Sequence, residues 1–179
     1  MTTSPNNIIW IDCEFTGLDY TVNRLIEIAV VVTDSDLKVL GTPLSFVIHY
    51  PQDILESITS EWVKTNLPDL LDEVATSSVS MQDAEGLIMD YLQEFCDEHS
   101  CPLAGNSVSA DRRMIEKEMP TLGSFLHYRT IDVSTIKELA GRWKPELLMS
   151  IDKKQTHRAL DDIYESIEEL ALYRSLWLT

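Results

Sequence analysis

Asp12 and Glu14 stand two residues apart in the stretch Trp10-Ile11-Asp12-Cys13-Glu14-Phe15-Thr16-Gly17-Leu18-Asp19. On a β-strand successive side chains alternate faces, so the two carboxylates face the same way, about 6.6 Å apart along the chain, while Ile11 and Cys13 face the other. Two acids on an otherwise apolar strand repel each other and resist desolvation. A hard divalent cation such as Mg²⁺, which takes oxygen ligands, removes both objections. A lone Asp-x-Glu is most often a solvated strand end. Here, however, Thr16-Gly17-Leu18-Asp19 closes the strand with a turn that carries an exposed Leu18. Acids at a strand end facing a loop are where sites are commonly built.

Two further groups could join them. Asp111 opens a helix directly after a short strand, a position where ligand sites in α/β folds lie, although an acid there also compensates the helix dipole. His157-Arg158-Ala159-Leu160-Asp161-Asp162 offers a histidine and two acids at a helix start. At ~100° per residue, Asp161 lies about 40° from His157 around a helix and Asp162 about 140° away. Spacing therefore pairs His157 with Asp161 if His157 is already helical, and makes no choice if His157 precedes the first regular turn. Asp12, Glu14, Asp111 and one Asp at 161–162 make four carboxylates. Four acids can bind two divalent ions about 3.5–4 Å apart, the arrangement that clamps the attacking and leaving oxygens in phosphoryl displacement. A neutral His beside such a pair can take a proton from the attacking water.

The elements that must position these groups follow in order along the chain. Leu25-Ile26-Glu27-Ile28-Ala29-Val30-Val31-Val32 is a second strand, nearly continuous in apolar character. A turn at Asp34-Ser35-Asp36 leads to a third, over Val39 to Leu40 and Leu44 to Tyr50, completing an antiparallel meander. Thr59 is expected to cap a short helix that carries Trp62, exposed or half-exposed, in its first turn. Ser80 opens a long helix whose Ala84, Leu87, Ile88, Tyr91, Leu92 and Phe95 form a core-facing stripe. Cys101 to Asn106 is a short buried strand, and Ser109 is expected to cap the helix of Asp111. Arg129 to Val133 is the last strand, followed by a helix from Ser134 to Arg142. A final helix runs from about Thr156-His157 to about Arg174, and 144–155 reads as a loop. Three strands, then helix, strand, helix, strand and helix, make an α/β domain with a mixed five-stranded sheet flanked by helices.

Composition narrows the substrate. The 179 residues fit a single domain over 1–179, with about 1–7 a flexible N-terminus. That N-terminus has neither the basic segment nor the apolar core of a secretory signal. No apolar run approaches a membrane span. These features suit the cytoplasm, or the mitochondrial matrix where a presequence precedes the chain. Cys13, Cys96 and Cys101 are odd in number and read as reduced, buried thiols. Residues 1–111 hold 3 basic and 19 acidic side chains, whereas 112–179 hold 11 of each. A protein that grips a long polyanion needs a track of lysine and arginine to displace counterions. Any nucleic-acid substrate of this chain should therefore be short and held by local contacts and metal.

In four blocks the chain resembles oligoribonuclease, in the ribonuclease H-like superfamily of 3′–5′ exonucleases that use four acids and one His. The blocks are Trp10 to Asp19, Ala104 to Arg113, His127 to Thr135 and His157 to Ile163, in the family's order and spacing from about residue 8 to 175. The resemblance implies a ribonuclease H-like fold and hydrolysis of very short single-stranded RNA (or DNA) oligonucleotides, dinucleotides included, to 5′-mononucleotides. It implies two Mg²⁺ or Mn²⁺ ions on Asp12, Glu14, Asp111 and Asp162, with His157 as general base and Asp161 left as a cap or supporting acid. It also implies that Leu18 wedges against the bases and Trp62 stacks on one, and that Ser107, Arg129 and Ser134 hold the 5′ phosphate. Tyr128 would reach the partner's site in a homodimer. The family usually carries a histidine a few residues after this Trp, in a stretch ending Ser-Gly-Leu. Val63-Lys64-Thr65-Asn66-Leu67-Pro68-Asp69-Leu70 is shorter and has none, so discrimination by the 5′ phosphate is expected to be weaker. The shortage of basic residues disfavours a proofreading-type exonuclease on longer single-stranded DNA, and retention of all four acids and His157 disfavours an inactive acidic binding module.

Overall fold

The computed structural model describes residues 3–150 and 158–178. His157, with the rest of 151–157, lies outside the described residues. Among those described, β1 (Ile8–Phe15), β2 (Leu25–Thr33) and β3 (Val39–Val47) form the expected antiparallel meander. Beyond β1, β4 (Leu103–Gly105) and β5 (Thr130–Asp132) pair in parallel, so the strand order is β3-β2-β1-β4-β5. The mixed five-stranded sheet is thus as expected, with β1 at its centre. β2 is buried along its whole length, as its β-branched run requires. β3 runs unbroken through Pro43, which an edge strand tolerates, and ends at Val47 rather than Tyr50. Tyr91 repairs the ladder where β2 and β3 slip register between Val30 and Val32. Its hydroxyl accepts from the Val32 N–H at 3.1 Å and donates to the Leu40 carbonyl at 2.9 Å.

The helices are α1 (Gln52–Ile58), α2 (Glu61–Asn66), α3 (Pro68–Thr76), α4 (Met81–Gln93), α5 (Ser109–Glu118), α6 (Pro120–Phe125), α7 (Val133–Trp143) and α8 (Ala159–Tyr173). A 3₁₀ turn covers Pro145–Ser150 and a π-helical turn Arg174–Leu178. The alternation of β1 sorts two cores. Ile9, Ile11 and Cys13 join Ile88 and Leu92 of α4, Met114 and Ile115 of α5, and Leu122 of α6. Trp10 faces the other way with Ala140 of α7 and Ile163 and Ile167 of α8, its indole N–H donating to Thr33 Oγ1 at 3.0 Å. Asp12 and Glu14 continue the Trp10 side of the strand, toward α8. A third cluster packs Ile26 of β2 against Leu55, Val63, Leu67, Leu70 and Val74, which seats α1, α2 and α3 beside the end of β1.

Several boundaries differ from expectation for local reasons. Ser60, not Thr59, caps α2, accepting from the Val63 N–H at 3.4 Å. Thr59 is consumed as the C-cap of α1, its N–H bonded to Leu55 O, and its buried hydroxyl finds no partner among the described residues. Ser109 is the first helical residue of α5 rather than its cap, because Ser107 already makes the turn with a left-handed backbone (φ 57°). Leu87 is half-exposed, so the core stripe of α4 is narrower than its periodicity suggests, and Phe95 is buried just beyond the helix end. α7 begins one residue early because Asp132 caps it through the Ser134 N–H. At the N-terminus, Ser4 N–H and Asn7 Nδ2 both donate to Phe95 O, at 3.1 and 2.9 Å.

Candidate active site

The turn after β1 is built on Asn23. Its Oδ1 accepts from the Asp19 N–H at 2.8 Å, and its Nδ2 donates to Ile58 O at 2.6 Å and to Thr16 Oγ1 at 3.2 Å. This holds Leu18 out in solvent, 81 % exposed. Trp62, 56 % exposed, faces it from α2. Glu14, Phe15, Gly17, Leu18, Ser60, Trp62 and Val63 line a mostly apolar cleft of about 590 Å³ between them. Gly17 is required by close approach, since a Cβ there would lie 2.7 Å from Asn23 Oδ1. Gly17→Ala must displace Asn23 and its buried hydrogen bonds. Such disruption typically costs about 1–3 kcal/mol, so melting of the purified variant should show a Tm lower by roughly 3–10 °C.

At the mouth of this cleft, carboxylate oxygens of Asp12, Glu14 and Asp162 all lie within 4.8 Å of one another. β1 delivers the first two from one face, and the first turn of α8 delivers Asp162. The structure therefore places Asp162, not Asp161, in the cluster; Asp161 is exposed. Asp111 enters from α5. It is buried, and its Oδ1 accepts from the Cys13 N–H at 3.0 Å, which locks it against β1 between the two strand acids in sequence.

The electrostatics are those of crowded anions. Burial, then the charges of Asp111, Asp162 and Glu14, hold Asp12 well above the usual carboxylate range. Burial, then Asp162 and Glu27, push Glu14 up to about 8, with Arg158 opposing. Burial raises Asp111 to about 7 against the N–H donors of its own backbone and Cys13. Such a cluster is protonated or it is neutralised by a cation. Its donors are hard oxygens in close convergence, which suits a hard divalent cation.

Two groups behind the cluster escaped the sequence reading. Glu27 is buried on β2 directly opposite Glu14 in register. Arg158 pairs with it at 3.1 Å. The signal for Glu27 was present: one acid inside an otherwise apolar run calls for a partner. Asp132 was the second omission. Its Oδ1 accepts from Ser107 N–H, Ser134 N–H and Ser134 Oγ at 3.0, 3.0 and 2.6 Å, and so brings Ser107 and Ser134 together at the carboxyl ends of β4 and β5. Nearby in the chain, Tyr128 is 73 % exposed, with His127 stacked on one side at 4.5 Å and the Arg129 guanidinium 5.3 Å from its ring.

A family model described as an exonuclease matches residues 9–170. Oligoribonuclease of Mannheimia succiniciproducens is 46 % identical over 175 residues, covering 97 % of this chain and 94 % of that protein. The chain belongs to the oligoribonuclease family of exonucleases. A second member, from Klebsiella pneumoniae, is 46 % identical over 176 residues and 97 % of both chains. The fold is shared more widely. E. coli exonuclease I, solved with single-stranded DNA and zinc, superposes with a TM-score of 0.75 at 16 % identity, over 97 % of this chain but 41 % of that one. This chain thus spans about two fifths of the length of exonuclease I.

Proposed function

We propose that this family member is a 3′–5′ exoribonuclease that hydrolyses very short oligonucleotides, dinucleotides included, to 5′-mononucleotides. The observation that carries the reading is the convergence of Asp12, Glu14 and Asp162 at the mouth of the Leu18–Trp62 cleft. Asp12, Glu14, Asp111 and Asp162 would hold two divalent ions, Mg²⁺ or Mn²⁺. Bound there, the ions supply activation of the attacking water and charge stabilisation at the scissile phosphate and leaving 3′ oxygen. His157, from the segment before α8, takes the proton of the attacking water. Leu18 and Trp62 grip the bases at the 3′ end, while Ser107, Ser134 and Arg129 receive the 5′ phosphate. In a homodimer, the exposed Tyr128 reaches the partner's site.

The cleft supports binding of the terminal bases, because Leu18 and Trp62 present apolar faces on its two sides. The acidic first 111 residues support a short substrate, since they offer no basic path for a long strand. Product analysis on a labelled length series tests the reading, with Mn²⁺ and with chelator. Mononucleotides from a dinucleotide in the presence of metal are expected. A rate on a twenty-mer exceeding that on the dinucleotide would overturn the substrate assignment. Trp62→Ala is expected to raise KM roughly 10- to 100-fold, since stacking on an aromatic is worth about 1–3 kcal/mol per base. Steady-state kinetics should show kcat little changed, the mark of binding shared by ground and transition states.

A further inference from the structure

Arg158 does more than satisfy Glu27. Its guanidinium reaches two acids on two different parts of the fold. Nε and Nη2 donate to Glu27 Oε1 at 3.2 and 3.1 Å, and Nη1 and Nη2 donate to the two oxygens of Glu73 at 3.0 Å each. Glu27 is on β2 opposite Glu14 and also accepts from the Ala159 N–H, the first residue of α8, at 3.4 Å. Glu73 is on α3, which packs through Leu70 and Val74 against Val63 and Leu67 beside Trp62. The α1–α3 layer is seated by that apolar cluster and by hydrogen bonds from Asn23 Nδ2 to Ile58 O and from Ser60 N–H to Thr16 O, and the fork adds a tie from α3 to β2 and to the residue that precedes α8.

We propose that Arg158 is a positioning residue: by bridging Glu27 and Glu73 it sets the Trp62 wall of the cleft at a fixed distance from the carboxylates that α8 and β1 present. The reading rests on the site being the nucleotide-processing site proposed above. The two arms differ in kind. Glu27 is 1 % exposed and would be a buried unpaired charge without Arg158, so that arm holds the fold. Glu73 is 46 % exposed, and a surface pair of this kind adds little to stability. Its use is therefore geometric. A planar guanidinium can serve both carboxylates at once, whereas a lysine ammonium is a point charge on a flexible stem and cannot hold that fork.

The test is a comparison of Arg158→Lys, Glu73→Ala and the double variant with wild type. Arg158→Lys keeps a cation for Glu27 and gives up the fork; Glu73→Ala removes the same link from the other side without touching the buried pair. Each is expected to raise KM for a diribonucleotide roughly 5- to 10-fold and to weaken binding of the 5′-mononucleotide product, read by calorimetry with Mg²⁺, by a similar factor, as loss of orientation in a stacked site does. Changes in kcat and Tm should be small, and the double variant no worse than either single, because both break one link. Unchanged KM and unchanged mononucleotide affinity in both singles would overturn the proposal. So would a fall in Tm with KM and affinity intact, which would make the bridge purely structural. A wild type inactive on diribonucleotide would instead sink the proposed function, so the two failures are distinguishable.

Discussion

Asp12→Asn should lower kcat by roughly 10³-fold or more, a loss of several kcal/mol of transition-state charge stabilisation, and should simultaneously raise the Tm of the metal-free protein at pH 8. The two effects have one origin. Asp12 is the acid on which burial and the charges of Asp111, Asp162, Glu14 and Glu27 all act in the same direction. Asparagine keeps its shape and one oxygen but removes the charge, so repulsion that protonation or a cation otherwise relieves disappears. The measurements are steady-state turnover in Mn²⁺ and melting in EDTA. A variant as active as wild type, after a contaminating nuclease is excluded, would end the assignment of Asp12. A variant inactive but less stable at pH 8 would mean that Asp12 is a structural acid.

The second large effect is on stability against pH. Glu14 titrates near 8 and Asp111 near 7 in the fold, against about 4 in an unfolded chain. Between those values the unfolded chain has released protons that the folded one keeps, so raising the pH favours unfolding. The contribution is fully present below about pH 4 and is lost progressively up to about pH 8, the reverse of an ordinary ion-paired carboxylate. In EDTA the Tm should fall by roughly 10 °C between pH 5 and pH 8, as a few kcal/mol implies for a domain of this size. Saturating Mn²⁺ at pH 8 should restore most of it, because a ligand that binds the folded state alone stabilises it by mass action. A Tm that rises with pH in EDTA would show that the carboxylates are already neutralised within the protein.

How much of this could be read without coordinates depends on how local each signal is. Asp12 and Glu14 are legible because a strand's period of two is rigid, and β2 because Leu25 to Val32 is a β-branched, nearly continuous apolar run, which the fold buries throughout. The choice between Asp161 and Asp162 was not legible from spacing, because it depends on where α8 begins. α8 begins at Ala159, so a helical angle counted from His157 does not apply. Glu27 stands out as the one acid of an apolar run, but its partner does not, because its role exists only through Arg158, 131 residues away. The cap of α2 was misassigned by one residue because Thr59 and Ser60 are chemically alike, and only the end of α1 decides which of them is free to cap.

The hydroxyl of Tyr91 has a consequence for how the molecule comes apart. It stands in for a strand partner where β2 and β3 lose step, so the hairpin alone leaves a donor and an acceptor unmatched until α4 arrives. Edge strand and helix should accordingly exchange their amide hydrogens as one cooperative block rather than fraying from the rim inward.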